Sequence, residues 1–290
     1  MAQAHETQAR LAAALGEPRN RFAIRVVKVM GDQILDRALA EAGGKGLFTK
    51  EIDEAQLAGE VDISVHSGKD LPTRLPDGLI EAGFLEREDP RDAFLSLAAA
   101  NLAELRPGAV VGTASLRRQA MVRRERPDLK VELLRGNVQT RLAKLKSGEV
   151  DATILALAGL KRLGLEHEAA SVMDAARFLP AVAQGAIALV VRDGDARSLA
   201  AARTISHAAT TACVAAERAF LTVLDGSCRT PIAGFAELDG ERLTLRGLVL
   251  SPDGVRAFDG VESGEDPVGV GETLGRRIKA VLPPDIFSVG

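Results

Sequence analysis

The chain has 290 residues, a net charge of −3 and nine Phe with no Trp or Tyr. That length suits two or three domains, each with its own core, while the charge balance and the want of stacking rings point away from a nucleic-acid partner. The longest apolar stretch, Ala152–Leu160, is too short to span a bilayer, residues 1–20 hold only the short apolar run Leu11–Leu15, and the two cysteines form no metal-ligand pattern, so a cytoplasmic, reducing setting with no membrane partner and no metal is expected.

In chain order, residues 21–82 read as β/α units. Phe22–Met30 has strand character, Ile34–Ala42 is helical, Gly43-Gly44-Lys45-Gly46 is a turn, and a helix covers about Thr49–Leu57. Val61–Val65 alternates apolar and polar residues as a strand does. A short loop then sets Lys69 and Asp70 side by side, and Pro72 forbids further regular structure. Ligands of open α/β sheets sit outside the carboxyl ends of strands, so Asp70 stands where chemistry is usually placed. A surface Lys-Asp turn is the alternative reading of this segment alone. Glu86–Asp92, rich in charge and proline, is a hinge into a second unit.

That unit repeats one pattern. Ala109–Gly112 is a strand, Thr113-Ala114-Ser115 a turn, and Leu116–Arg126 a helix stopped by Pro127. Val131–Leu134 is a strand, Arg135-Gly136-Asn137 a turn, and Val138–Ser147 a helix closed by Gly148; Ala152–Leu157 is a further buried strand. Alternation of this kind predicts a largely parallel sheet with helices on both faces. Ala186–Val191 is a strand that returns the chain to the first unit. A long helix runs from His207 to about Leu224, followed by strands near Leu243–Leu250 and Val255–Phe258 and a helix over about Glu272–Val281, which together make a small α+β domain.

Between Ser115 and Arg141 lie seven arginines and one lysine against three acidic residues. Such a cluster is either a solvated helix face or a site for a polyanionic ligand. Thr113 and Ser115 precede a helix, where hydroxyls and free N–H groups make an anion pocket. Arg117 and Arg118 in its first turn oppose the helix dipole. Arg135 at a strand end and Arg141 one turn into the next helix suit bidentate capture of carboxylates or phosphates. Arg123, Arg124 and Arg126 read as a solvated face. Cys213 reads as a core thiol and Cys228 as a loop thiol, reactive only if nearby cations favour the thiolate. His66 has no triad partner, and nucleophile-elbow, Walker and HExxH patterns are absent.

Read together, the segments resemble hydroxymethylbilane synthase, the porphobilinogen deaminase family. The resemblance lies in Gly43–Glu51, Asp62–Pro72, Arg87–Ala93, Val111–Gln119, Leu134–Leu142, Ala158–Gly164, Leu179–Ala186 and Glu217–Ile232, in order over nearly the whole chain. It implies an α/β fold: two periplasmic-binding-protein-like β/α domains (1–85 with 186–204, and 92–180) and a small α+β C-terminal domain (207–290) that carries the cofactor cysteine. It implies a dipyrromethane cofactor joined by a thioether to Cys228, and tetrapolymerisation of porphobilinogen with release of ammonia, by a monomer. Each pyrrole carries an acetate and a propionate, and loss of ammonia creates an azafulvene-like cation. Asp70 is then the catalytic residue, stabilising that cation and relaying protons. Lys45, Lys69, Arg117, Arg118, Arg135, Arg141 and Arg162 would hold carboxylates. Ser67, Thr113 and Ser115 would add hydrogen bonds, Gln184 and Gly185 backbone N–H groups, and Phe48 a cover for the bound ring.

The family's opening strand and TRxSPLA-type turn have no counterpart here, since Met1-Ala2-Gln3-Ala4-His5 resembles the helix that follows them. A first sheet one strand short and a site one arginine short are expected, with poor stability and little turnover. The competing readings are a truncated, inactive copy and a carboxylate-binding module of the same two-lobed fold.

Overall fold

A computed structural model describes residues 1–29, 49–226 and 230–288. The helix expected over Ile34–Ala42, the glycine turn with Lys45, and Phe48, Ser227 and Cys228 lie outside the described residues.

Helix α1 (Ala2–Leu15) opens the chain, and α2 (Lys50–Leu57) follows with Glu51 and Asp53 in its first turn, where carboxylates suit the helix dipole. Strand β1 (Ile63–Ser67) ends in a single 3-10 turn, Gly68–Asp70, and β2 (Leu79–Phe84) comes next. The chain then crosses to a second lobe with β3 (Asp92–Ser96), β4 (Val110–Gly112), α3 (Leu116–Glu125), β5 (Lys130–Glu132), α4 (Val138–Lys146), β6 (Ala152–Ala156), the short α5 (Leu157–Lys161) and β7 (Ser171–Val172). It crosses back into β8 (Ile187–Arg192) and α6 (Ala196–Thr204). The remainder is α7 (Ala208–Val223), β9 (Ile232–Asp239), β10 (Arg242–Leu250), β11 (Ala257–Gly264) and α8 (Pro267–Lys279).

Local chemistry sets the helix ends. The Ser115 hydroxyl caps α3 by accepting from the Arg118 N–H, and Asn137 caps α4 by accepting from the Thr140 N–H at 2.9 Å. Asp266 caps α8, with Pro267 at its first position where no N–H is needed.

Three sheets form among the described residues. The first is ordered β1-β8-β2, with β8 antiparallel to both neighbours and Ile187 through Val191 wholly buried. The second is ordered β5-β4-β6-β3-β7. Its β4 runs parallel to β5 and β6, while β3 runs antiparallel to β6 and β7. The third is the antiparallel meander β11-β10-β9, covered by α7 and α8.

Two expectations need correction. The largely parallel sheet holds only for β4, β5 and β6, which strand-helix-strand connections join. Where the chain crosses between lobes no such connection exists, so β3 and β8 run against their neighbours. The strand expected over Phe22–Met30 is also missing over its described part, where half the residues are exposed and Arg25 pairs with Glu60 at 2.6 Å. Alternating polarity makes a strand only where a neighbouring edge supplies hydrogen-bond partners.

One buried carboxylate ties the two crossovers to the third sheet. Glu217 of α7 accepts from Arg87 Nη1 at 2.6 Å, from the Ala183 N–H at 2.6 Å and from the Ala236 N–H at 2.8 Å. Arg87 also donates to the Gln184 carbonyl at 2.8 Å and lies 5.1 Å from the Phe235 ring centre. The return crossover is tight. Gly185 has a φ of 89°, and a Cβ there would run into the Glu88 carbonyl, so only glycine fits.

Candidate active site in the interlobe cleft

The end of β1 presents Lys69 and Asp70. Gly68 is pressed onto the return crossover, its N–H donating to the Ala186 carbonyl at 2.9 Å, and the Leu71 N–H closes the turn onto the Gly68 carbonyl. This geometry lifts the next two side chains off the sheet. Ser67 hydrogen-bonds Asp70 and in turn receives the Gln3 amide of α1 at 2.8 Å.

Asp70 is crowded by the cleft walls yet open to solvent at the mouth. The crowding pushes its pKa up, opposed by Lys69, Arg141, the Ser67 hydrogen bond and Arg118. Since the carboxylate still meets water, the upward push is weaker than full burial would give. Beside it, burial pulls Lys69 down to about 8, with Asp70 opposing and Arg118 assisting. Arg141, whose Nε donates to the Gly136 carbonyl at 2.8 Å, is held down to about 10, first by burial and then by Arg118, with Arg135 adding to the repulsion. The end of β1 and the first turn of α4 therefore converge on one positively charged cleft. Arg135 is buried just ahead of α4, and Thr113, also buried, accepts from the Ser115 N–H at 3.2 Å.

Arg117 and Arg118 differ from expectation. Their guanidinium groups face the protein's own Asp92, a fully buried carboxylate at the start of β3. Arg117 Nη2 lies 2.7 Å from one oxygen, and Arg118 Nη2 lies 2.6 Å from the other. Arg117 also donates to the Leu179 carbonyl at 2.7 Å and Arg118 to the Ile154 carbonyl at 3.0 Å. Both therefore send positive potential into the cleft while the terminal nitrogens of their guanidinium groups are committed elsewhere. Gln184 departs likewise: its amide donates to the Pro90 carbonyl at 2.7 Å and to Asp92 at 2.9 Å, and its backbone N–H donates to the Ala181 carbonyl. The Gly185 carbonyl accepts from Glu88 and from Arg162 at 2.8 Å. Reading along the chain passed over Asp92 and Glu217 because a buried carboxylate looks like a surface one until its partners are known. A first helical turn carrying two arginines was the available signal that a carboxylate had to lie nearby.

The comparisons with known proteins decide the family. The description "Porphobilinogen deaminase, dipyromethane cofactor binding domain" matches residues 1–200, and "Porphobilinogen deaminase, C-terminal domain" matches residues 211–280. The chain belongs to the porphobilinogen deaminase family. It is 52% identical over 291 residues to the porphobilinogen deaminase of Nitrobacter hamburgensis, covering 100% of this chain and 92% of that one. The Nitrobacter winogradskyi enzyme is 54% identical over 91% of this chain and 84% of its own length, and that of Paracoccus denitrificans is 52% identical over 99% and 92%. As a member of this family the chain is an enzyme, a transferase of tetrapyrrole synthesis with a dipyrromethane cofactor-binding domain. Among the described residues no helix is long and apolar enough to cross a membrane, and no cluster of three or more His, Cys, Asp or Glu is arranged to hold a metal.

His66 plays a different part from Lys69 and Asp70. Its ring is buried, its Nε2 lies 3.0 Å from the Ser64 hydroxyl, and Ser64 donates to Gln56 at 2.7 Å. Burial holds its pKa down to about 4, against 6.5 in the unfolded chain. Between those values the unfolded chain binds a proton that the folded protein refuses. The stability is therefore whole above about pH 6.5 and is lost as pH falls through the window, by up to about 3 kcal/mol. Chemical denaturation at about pH 7 and about pH 5 is expected to show about 2 kcal/mol of that loss in the parent and a smaller one in His66→Leu; equal losses would place the acid sensitivity elsewhere.

Proposed function

We propose that the chain joins porphobilinogen units into the linear tetrapyrrole hydroxymethylbilane, releasing ammonia at each addition, on a dipyrromethane held by a thioether to Cys228. One observation carries this reading: among the described residues the solvent-open carboxylate of Asp70 stands beside Lys69 and Arg141, with Arg135 next to Arg141, under the added field of Arg117 and Arg118. A pyrrole bearing an acetate and a propionate is complementary to such a positively charged wall. The donor set thus fits the cofactor as well as the substrate. When bound, the dipyrromethane supplies the pyrrole carbon on which the chain is extended.

The residues then divide by role. Lys69, Arg135 and Arg141, with Lys45 from the glycine turn, bind carboxylates as charge-assisted donors. Thr113 and Ser115 orient them at the start of α3. Asp70 stays ionised beside the pyrrole N–H, stabilises positive charge as ammonia departs, and holds the proton lost when the ring carbon regains aromaticity. Phe48 covers the ring. The domain division 1–85 with 186–204, 92–180 and 207–290 puts Asp70 and the arginines on opposite walls of one cleft. The enzyme works as a cytoplasmic monomer on a small substrate.

The test is the intact mass of the purified chain, with peptide mapping around Cys228. A mass excess of one dipyrrole on the Cys228 peptide, followed by stepwise porphobilinogen-derived increments, is the expected result. An unmodified Cys228 with neither increments nor product would overturn the reading.

A further inference from the structure

We propose that Glu6 is a built-in competitor for ligand carboxylates at Arg162, an ion pair across the cleft that a substrate must displace. The inference rests on the tetrapyrrole-building reading above. Gln3 and Glu6 are three residues apart on α1 and so share one face. Gln3 reaches Ser67, beside Asp70, while Glu6 Oε2 meets Arg162 Nε at 3.4 Å. Arg162 follows α5 in the second lobe, and its Nη2 donates to the Gly185 carbonyl of the return crossover at 2.8 Å. Its guanidinium therefore sits where the first lobe, the crossover and the second lobe meet, one crossover turn from the Gly68 contact that positions Asp70.

The pair is built to give way. Its one contact is longer than the roughly 2.7–2.9 Å of a strong charge-assisted bond. Glu6 is also shared with Arg10, at 3.2 Å, and its side chain is 29% exposed. Such pairs are weak, whereas an incoming carboxylate that binds two guanidinium nitrogens is held better. Displacing Glu6 does not part the lobes, because Lys161 at the end of α5 remains tied to Glu88 of the outgoing crossover at 2.8 Å. In the unliganded protein Glu6 thus neutralises Arg162, and it lowers the apparent affinity for each carboxylated unit.

Two variants move the competition in opposite directions. Glu6→Gln removes the competing charge and is expected to lower the KM for porphobilinogen about fivefold, with kcat moving less than KM. Arg10→Gln leaves Glu6 to Arg162 alone and is expected to raise KM about twofold; Arg10 is exposed, so this variant is safe for folding. In an Arg162→Gln background the Glu6→Gln change is expected to have no effect on KM, which places its action at Arg162, whereas loss of a merely structural contact would not lower KM in the single variant. Unmoved KM values, or shifts in the same direction, in proteins that gain porphobilinogen-derived mass would overturn the proposal. Failure of parent and variants alike to gain that mass would instead refute the reading on which it rests.

Discussion

Asp70→Asn is expected to cut tetrapyrrole formation by roughly 10²–10⁴-fold, the range that positioned proton-transfer groups supply. Asparagine keeps the shape and still accepts from Ser67, yet it holds neither the negative charge nor the proton. The loss is expected to fall on kcat, because in the proposed role the carboxylate acts on charge that develops during the reaction. Stability should be unaffected, since the side chain is solvent-open and closes no core contact. The pH profile should carry the same signature. Crowding raises the Asp70 pKa, so the rate of the parent enzyme is expected to fall on acidification at a pH above the ordinary carboxylate range. Initial rates and unfolding curves on the same preparation decide the matter; a loss below tenfold would remove Asp70 from the chemistry.

Asp92→Asn is expected to do the opposite, striking stability first. Its carboxylate faces two buried guanidinium groups and the Gln184 amide. Removing the charge leaves Arg117 and Arg118 uncompensated, which costs about 3–5 kcal/mol when one partner of a buried pair is lost. That is a large part of the 5–15 kcal/mol typical of a folded domain. The denaturation midpoint should fall with an unchanged slope. Although burial alone would raise it, Arg117 and Arg118 hold the Asp92 pKa far below the ordinary carboxylate value. Its stabilising contribution is therefore present above that ordinary value and is lost as pH falls towards the folded-state pKa. A midpoint shift worth less than about 1 kcal/mol would show that the arginines find other partners.

Local signals in the sequence located many elements to within a few residues. Ser115 and Asn137 mark helix starts, Pro127 and Gly148 mark ends, and α3, α4, α7, β6, β8 and β10 fall close to their expected spans. The strands β2, β3 and β9 went unread. In β9 the run Ile232-Ala233-Gly234-Phe235-Ala236 is poor in β-formers, and its Gly234 faces Gly247 of β10 across the ladder. That pair of glycines leaves room for the Phe220 ring of α7, a reason that exists only after the helix has packed on the sheet.

The same division holds for the site. By itself the sequence determined the family and the place of Asp70 in the turn after β1, because these rest on contiguous segments whose spacing is visible along the chain. Which arginines are tied up inside the protein and which face the cleft was decided only by the tertiary structure. Arg117, Arg118 and Arg141 look alike in the chain, yet the first two face Asp92 and the third opens towards Asp70. A guanidinium takes the nearest carboxylate able to repay its desolvation, and folding brings Asp92 within reach of the arginines 25 and 26 residues further on.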